Sequence, residues 1–206
     1  MAYNVEEQQE LDNLKHFWNR SGKWLFSLLV VLALAYLGYV LYQSNQADRQ
    51  KEAATLAYQF VEKSSAKDAT ALNDLKALQE QYAGSFGASE ATLMAAAQAF
   101  DDKQYEQAEK HLLWVQTHHQ DVFIQALTQQ RLAVLKLQQQ KYDEALKYVD
   151  VAVPETLKPM MLETKGDILV AKGDLPKAKE AYAQALKGLD EKTSPNYELV
   201  KFKAEQ

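Results

Sequence analysis

The residues best suited to chemistry in this chain are three histidines close together in sequence, His111, His118 and His119, with Asp121 just beyond them. On a helix, His111 and His118 share one face, but neither has a ligand-type residue four positions away, the spacing that helical zinc sites use. A histidine where a helix ends is also favoured by the negative end of the helix dipole. We therefore expect a structural role for these histidines, with no metal or other cofactor.

Paired carboxylates, at Asp101–Asp102 and Asp190–Glu191, are the other candidates for chemistry. Both pairs fall in predicted turns, where solvated carboxylates are more typical than a catalytic dyad. The sequence has no cysteine, no glycine-rich phosphate loop and no G-x-S-x-G motif. These features predict a protein that is not an enzyme, and the lack of cysteine is compatible with an oxidising compartment.

An uncharged stretch near the N-terminus predicts a transmembrane helix over residues 24–42. No charged residue lies between Lys23 and Asp48, and the predicted helix would span roughly 28 Å, about the thickness of the hydrocarbon core of a lipid bilayer. Trp18 and Trp24 lie at one end and tyrosines toward the other, as at membrane interfaces. A cleaved signal peptide would have a shorter apolar core. A buried core helix without a polar face would need protein on all sides.

The basic residues around the predicted helix indicate its orientation. Arg20 and Lys23 immediately precede it, whereas Arg49 and Lys51 come well after it. The positive-inside rule therefore favours a cytoplasmic arm, residues 1–23, and a domain on the other side of the membrane, residues 43–206. That domain has 20 basic and 24 acidic residues, a net charge of −4, which argues against nucleic acid as a partner.

Repeated helical hairpins are predicted for the domain, which is rich in helix-forming residues and poor in glycine and proline. Three segments share a polar turn, a large apolar residue and then an alanine three residues later; the alanines are Ala108, Ala145 and Ala178, spaced by 37 and 33 residues. A period in the thirties is typical of stacked helix pairs. We predict an all-α solenoid of three to four hairpins, at about 50–84, 89–118, 126–157 and 159–190.

The last hairpin has the clearest signature. Gly173 can end its first helix in the left-handed conformation, and Asp174 can cap the second helix, whose first turn tolerates Pro176. This hairpin resembles the tetratricopeptide repeat at most signature positions. It departs from the repeat at Lys165, where leucine is usual, and in lacking a proline just after the second helix, since Pro195 lies too far on.

The inner face of the predicted stack is a candidate polypeptide-binding groove, because apolar residues and methionine can accommodate varied segments. The Lys and Asn ladder with which some tetratricopeptide domains grip a carboxylate is missing, and Glu163 and Asp167 are among the residues found there. The alternative, which the sequence leaves open, is that residues 47–60 form a helix that fills the groove. The candidate groove residues are Leu93, Met94, Phe100, Leu127, Gln130, Arg131, Val134, Leu137, Met160 and Val170.

The whole chain resembles one known family in its order of segments. An acidic arm that contains EEQQELDNLKHFW, one apolar span and then the repeats closely resemble the ancillary subunit of the bacterial SecYEG translocon. The resemblance implies a single-pass protein of the Gram-negative inner membrane with its repeats in the periplasm. It also implies association with the translocon and with a membrane-anchored periplasmic chaperone of the peptidyl-prolyl isomerase type.

The function expected from this resemblance is non-enzymatic: a membrane-anchored interaction subunit that helps periplasmic chaperones to receive or fold translocated proteins. Unfolded translocated polypeptides are then further expected partners. The alternative function is a membrane-tethered tetratricopeptide scaffold for another envelope assembly, without contact to secreted chains.

Overall fold

The protein is represented by a computed structural model that describes residues 5–206, so residues 1–4 of the predicted arm lie outside the described residues. Residues 5–206 form helices and connecting turns, without a strand, which confirms the all-α prediction. The chain divides into two compact units, residues 1–49 and residues 50–206. The helices are α1 (Val5–Phe17), α2 (Lys23–Ser65), α3 (Ala71–Gln81), α4 (Phe86–Asp101), α5 (Tyr105–His118), α6 (Val122–Gln138), α7 (Tyr142–Val149), α8 (Lys158–Lys172), α9 (Leu175–Lys187) and α10 (Tyr197–Glu205).

The first unit contains α1, a π-helical turn at Trp18–Gly22 and the apolar part of α2. Among the described residues, one helical stretch, Gln9–Ser65, is long and apolar enough to cross a membrane. Its apolar window has a mean hydropathy of 2.3 and buries none of its residues in protein. A core helix would be covered by neighbouring helices, so this exposure fits a membrane-anchored protein.

In the second unit, antiparallel helix pairs follow one another along the chain. The end of α2 pairs with α3, then α4 with α5, α6 with α7, and α8 with α9. Hydrogen bonds join the first helices of neighbouring pairs at residues 34 positions apart. Ser64 Oγ of α2 donates to Gln98 Oε1 of α4 (2.8 Å), and Gln130 Nε2 of α6 donates to Thr164 Oγ1 of α8 (3.1 Å). The predicted tetratricopeptide-like solenoid is therefore present.

The segment after the anchor is part of the stack. Ala53, Ala57 and Phe60 on α2 are buried in one cluster with residues of α3 and α4. The two helices α2 and α4 approach closely at Gly87, where a β-carbon would lie 2.6 Å from the Ala53 carbonyl oxygen. Residues 50–60 thus pack on α3 and α4 as the first helix of the first pair.

The four hairpin turns share one backbone geometry. Each places a residue with φ between +56° and +89° just after its first helix, namely Lys67, Lys103, Gln140 and Gly173. The next residue then donates its N–H to the carbonyl five positions back, as Asp174 does to Leu169 at 2.9 Å, which is the Schellman pattern. The left-handed Gly173 and the Asp174 cap predicted from the sequence are confirmed.

Small residues lie where the two helices of a pair cross. Ala108, Ala145 and Ala178 are buried, with at most 2% of each exposed. Gly166 also allows a close approach of the two helices in the last pair, because a β-carbon there would lie 2.6 Å from Cδ1 of the Tyr182 ring. A larger residue at any of these positions would force the two helices apart.

A helix that the sequence analysis did not identify completes the stack. Helix α10 packs on α9, and Val200 is fully buried in the last core cluster with Tyr182 and Ala185. It takes the place that the first helix of another pair would occupy, and so covers the apolar face of α8 and α9.

The turn geometry predicts opposite effects for two substitutions. Gly173→Ala places a β-carbon in the left-handed region and should lower the free energy of unfolding by about 1–2 kcal/mol. Gln140→Gly removes the same strain from an equivalent turn and should be neutral or stabilising by up to about 1 kcal/mol. Urea denaturation of the soluble fragment 45–206 measures both changes. Equal destabilisation by the two substitutions would contradict a shared turn geometry.

Candidate polypeptide-binding surface

All ten candidate groove residues lie on α4, α6 and α8, the first helices of three successive pairs. Helix α6 is held against both neighbours by side chains of consecutive residues. Arg131 Nη1 donates to the Leu93 carbonyl of α4 at 3.1 Å, and Gln130 Nε2 donates to Thr164 Oγ1 of α8. These two contacts fix the rotation of α6 and thereby decide which of its side chains reach the surface.

Four of the ten predicted residues come together. Phe100, Gln130, Arg131 and Val134 line a cavity of about 250 Å³ between α4, α5 and α6. The sequence analysis did not include the remaining lining residues in the groove, because they are small, lie on the second helix of the pair or, for Asp101, were assigned to a turn. The remaining lining residues are Ala96, Ala97, Asp101, Ala108 and Leu112.

The other six predicted residues do not join this cavity. Leu93 is 5% exposed and belongs to the core, where the half-buried Leu127 packs against the same cluster. Leu137 and Met160 are half-buried against the next core cluster. Met94 and Val170 are exposed, and Val170 lines a separate cavity of about 750 Å³ between α8, α9 and α10. The structure therefore brings four of the ten predicted residues together and distributes the other six among core clusters, an exposed surface and a separate cavity, and polypeptide binding by these residues stays a prediction.

The Arg131 guanidinium is half-buried among apolar side chains. Burial lowers the pKa of Arg131 below its ordinary value, although an arginine remains charged at any physiological pH. Within the part of the chain that the structure describes, no carboxylate lies at ion-pair distance from Arg131. The half-buried charge thus has a backbone carbonyl as its protein partner.

In contrast to Arg131, the buried cation Lys136 has two carboxylate partners. Lys136 is 5% exposed, and its Nζ lies 2.7 Å from Glu109 Oε1 and 3.4 Å from Glu144 Oε2. Burial by itself would lower the pKa of Lys136, but the hydrogen bonds and charges of the two glutamates outweigh it and raise that pKa. Lys136 therefore serves to hold α6 against α5 and α7.

The inner-face carboxylates Glu163 and Asp167 are engaged by the C-terminal helix. Lys203 Nζ lies 3.0 Å from Glu163 Oε1 and 2.8 Å from Asp167 Oδ1, and Asn196 Nδ2 donates to Glu163 Oε2 at 2.8 Å. Tyr182 also donates to Asp167, and burial together with this hydrogen bond raises the pKa of Tyr182. These carboxylates stabilise the end of the stack.

Two of the three histidines, His118 and His119, pack against aromatic side chains. The His118 ring stacks on Trp114 with centroids 4.5 Å apart, and its Nδ1 lies 2.8 Å from the Trp114 carbonyl oxygen. His119 is buried edge-on against Phe86, and burial lowers its pKa. The helix dipole was expected to favour a protonated histidine at this helix end, whereas the burial of His119 favours its neutral form. The described residues contain no group of three His, Asp or Glu side chains that could hold a metal ion.

Comparison with known proteins agrees with this architecture. A family model for a tetratricopeptide repeat-like domain matches residues 15–206. The chain is 46% identical over 205 residues to a Neisseria gonorrhoeae protein named "Ancillary SecYEG translocon subunit", with 98% of each chain covered. The chain belongs to the family of ancillary SecYEG translocon subunits.

More distant relatives of the same family carry the same name. The Haemophilus influenzae protein is 28% identical and the match covers 90% of this chain and 91% of that protein. The Escherichia coli protein is 26% identical, with 91% and 90% covered. No solved structure matches this chain. The match to the Neisseria gonorrhoeae protein covers 98% of this chain and so includes most of the arm and the apolar helix as well as the repeats.

The ion pairs of the C-terminal helix predict that it contributes to the stability of the domain. Lys203→Ala removes a cation shared by two half-buried carboxylates and should lower the free energy of unfolding by about 1–2 kcal/mol. Lys201→Ala on the same helix is the matched control, because Lys201 Nζ lies 3.9 Å from Glu198 Oε2 in an exposed pair, and its effect should stay within about 0.5 kcal/mol. Thermal melts of fragment 45–206 compare them, and equal effects would contradict the docking role of Lys203.

Proposed function

We propose that this chain is a non-enzymatic, membrane-anchored interaction subunit associated with the SecYEG translocon. The observation that carries the proposal is the family itself, whose members from Neisseria, Haemophilus and Escherichia are named "Ancillary SecYEG translocon subunit". A tetratricopeptide-like stack supports it, since such folds present extended surfaces to other polypeptides. A helix able to cross a membrane supports placement beside a membrane complex.

The proposed topology follows from charge. Residues 1–23 form the cytoplasmic arm, residues 24–42 the transmembrane segment, and residues 43–206 the periplasmic domain of a Gram-negative inner-membrane protein. Arg20 and Lys23 precede the apolar segment directly, and basic residues stay on the cytoplasmic side.

The proposed role of the domain is to help periplasmic chaperones receive or fold translocated proteins. A membrane-anchored chaperone of the peptidyl-prolyl isomerase type and unfolded translocated polypeptides are its proposed partners. Anchoring beside the translocon raises the effective concentration of the domain where chains emerge, so that weak individual contacts suffice.

Co-purification tests the proposed association. Crosslinking in intact membranes, followed by detergent extraction of the full-length chain, should recover translocon subunits and the chaperone. The control is an unrelated single-span inner-membrane protein of similar abundance, which should recover neither. Recovery of a different envelope assembly, without the translocon, would favour the scaffold alternative and refute the proposal.

Site-specific labelling tests the proposed topology. The chain has no cysteine, so Asn13→Cys and Gln120→Cys each introduce a single thiol at an exposed position. In intact spheroplasts, a membrane-impermeant thiol reagent should label the Gln120→Cys variant, whereas the Asn13→Cys variant should react after lysis. Labelling of the Asn13→Cys variant in intact spheroplasts, with the Gln120→Cys variant protected, would show the reverse orientation.

A further inference from the structure

The cavity between α4, α5 and α6 can hold one large apolar side chain. Its walls are made by Ala96, Ala97 and Phe100 of α4, Ala108 and Leu112 of α5, and Val134 of α6. An apolar cavity of about 150 Å³ is enough to bind benzene, and this one has about 250 Å³. The side chain of a leucine or a phenylalanine would therefore fit.

A charge at the wall of this cavity lacks a counter-ion in the described part of the chain. Arg131 lines the cavity, is half-buried, and donates from Nη1 to the Leu93 carbonyl. Lys136 and Lys203, the other partly buried cations described above, each pair with two carboxylates. A guanidinium has five donors in a fork that matches a carboxylate, so Arg131 retains donors for one.

We propose that this cavity and Arg131 together bind an internal polypeptide segment that carries an apolar side chain and a carboxylate on the same side. In an extended segment, residues i and i+2 point to one side, so Leu-x-Glu is the simplest such pattern. The apolar side chain enters the cavity and the carboxylate pairs with Arg131. The inference rests on the proposed function, because a subunit beside the translocon meets internal segments of emerging chains before their C-termini.

A second charge restricts which segments fit. Asp101 lines the same cavity and is exposed, so it repels an acidic segment while Arg131 attracts it. A segment with one acidic residue should therefore bind better than a run of acidic residues. The two charges also make opposite predictions for substitutions at the two positions.

Peptide binding to the full-length chain in detergent micelles tests the site. The probe is a fluorescein-labelled, C-terminally amidated nonapeptide, Gly-Ser-Gly-Leu-Ser-Glu-Gly-Ser-Gly, followed by fluorescence anisotropy. Replacing its Glu by Gln, or its Leu by Ser, should weaken binding to the unchanged protein about tenfold or more. Equal binding of the Glu and Gln peptides would overturn the proposal without any protein variant.

Protein variants locate the binding. Arg131→Gln should weaken binding of the Glu peptide about tenfold or more, whereas Asp101→Asn should strengthen it about two- to fivefold. Val134→Ser should weaken binding, with Val122→Ser, at an exposed valine of the same helix, as the matched control. Circular dichroism verifies the fold of each variant, and a folded Arg131→Gln variant that binds like the parent would overturn the proposal.

Two further measurements distinguish an internal carboxylate from a C-terminal one, and this inference from the proposed translocon association. The Gln peptide with a free C-terminal carboxylate distinguishes a chain end from an internal acid, and tighter binding of that peptide than of the amidated Glu peptide would overturn the assigned ligand. Recovery of the translocon by the parent chain is measured in parallel. Lost peptide discrimination with intact recovery refutes this inference alone, whereas failed recovery with intact discrimination refutes the proposed association alone.

Discussion

The domain depends on a constraint common to all helical hairpins: two antiparallel helices cannot bury the apolar face that they share with the next pair. Close crossing inside each pair, at Ala145 and Ala178 for example, leaves leucine and valine side chains to be covered by the neighbouring helices. Stability is therefore a property of the stack. The recurring left-handed turn connects the two helices of every pair in the same way, so that each pair presents a similar face to the pair that follows it.

The two ends of the stack satisfy this constraint in different ways. At the start, the part of α2 that belongs to the second unit contributes Ala53, Ala57 and Phe60 to the first core cluster, where they pack with residues of α3 and α4. At the other end, the short helix α10 covers the last pair with Val200, and its Lys203 forms ion pairs with two inner-face carboxylates. A capping helix of this kind keeps the final apolar face away from solvent.

Between these ends, the inner face is partly occupied by the protein's own contacts. The inner-face carboxylates Glu163 and Asp167 are held by Lys203, and predicted groove residues such as Leu93 and Leu127 lie in or against the core. What remains open is the cavity beside Arg131, where apolar walls and a half-buried charge lie together. The polypeptide-binding site that we propose is therefore this small cavity, in a family of ancillary translocon subunits.

The sequence alone determined the features that depend on one helix or one turn. The apolar segment, the alanine period, Gly173 with its Asp174 cap and the all-α class follow from local periodicity and from backbone conformations that few residue types adopt. The left-handed turns at Lys67, Lys103 and Gln140 were not apparent, because those residue types do not favour φ above zero. The same residue can line a groove or fill a core depending on how its helix is rotated, and contacts made more than 30 residues away set that rotation. Only the tertiary structure could therefore bury Leu93, bring Arg131 to a cavity and dock α10 on Glu163 and Asp167.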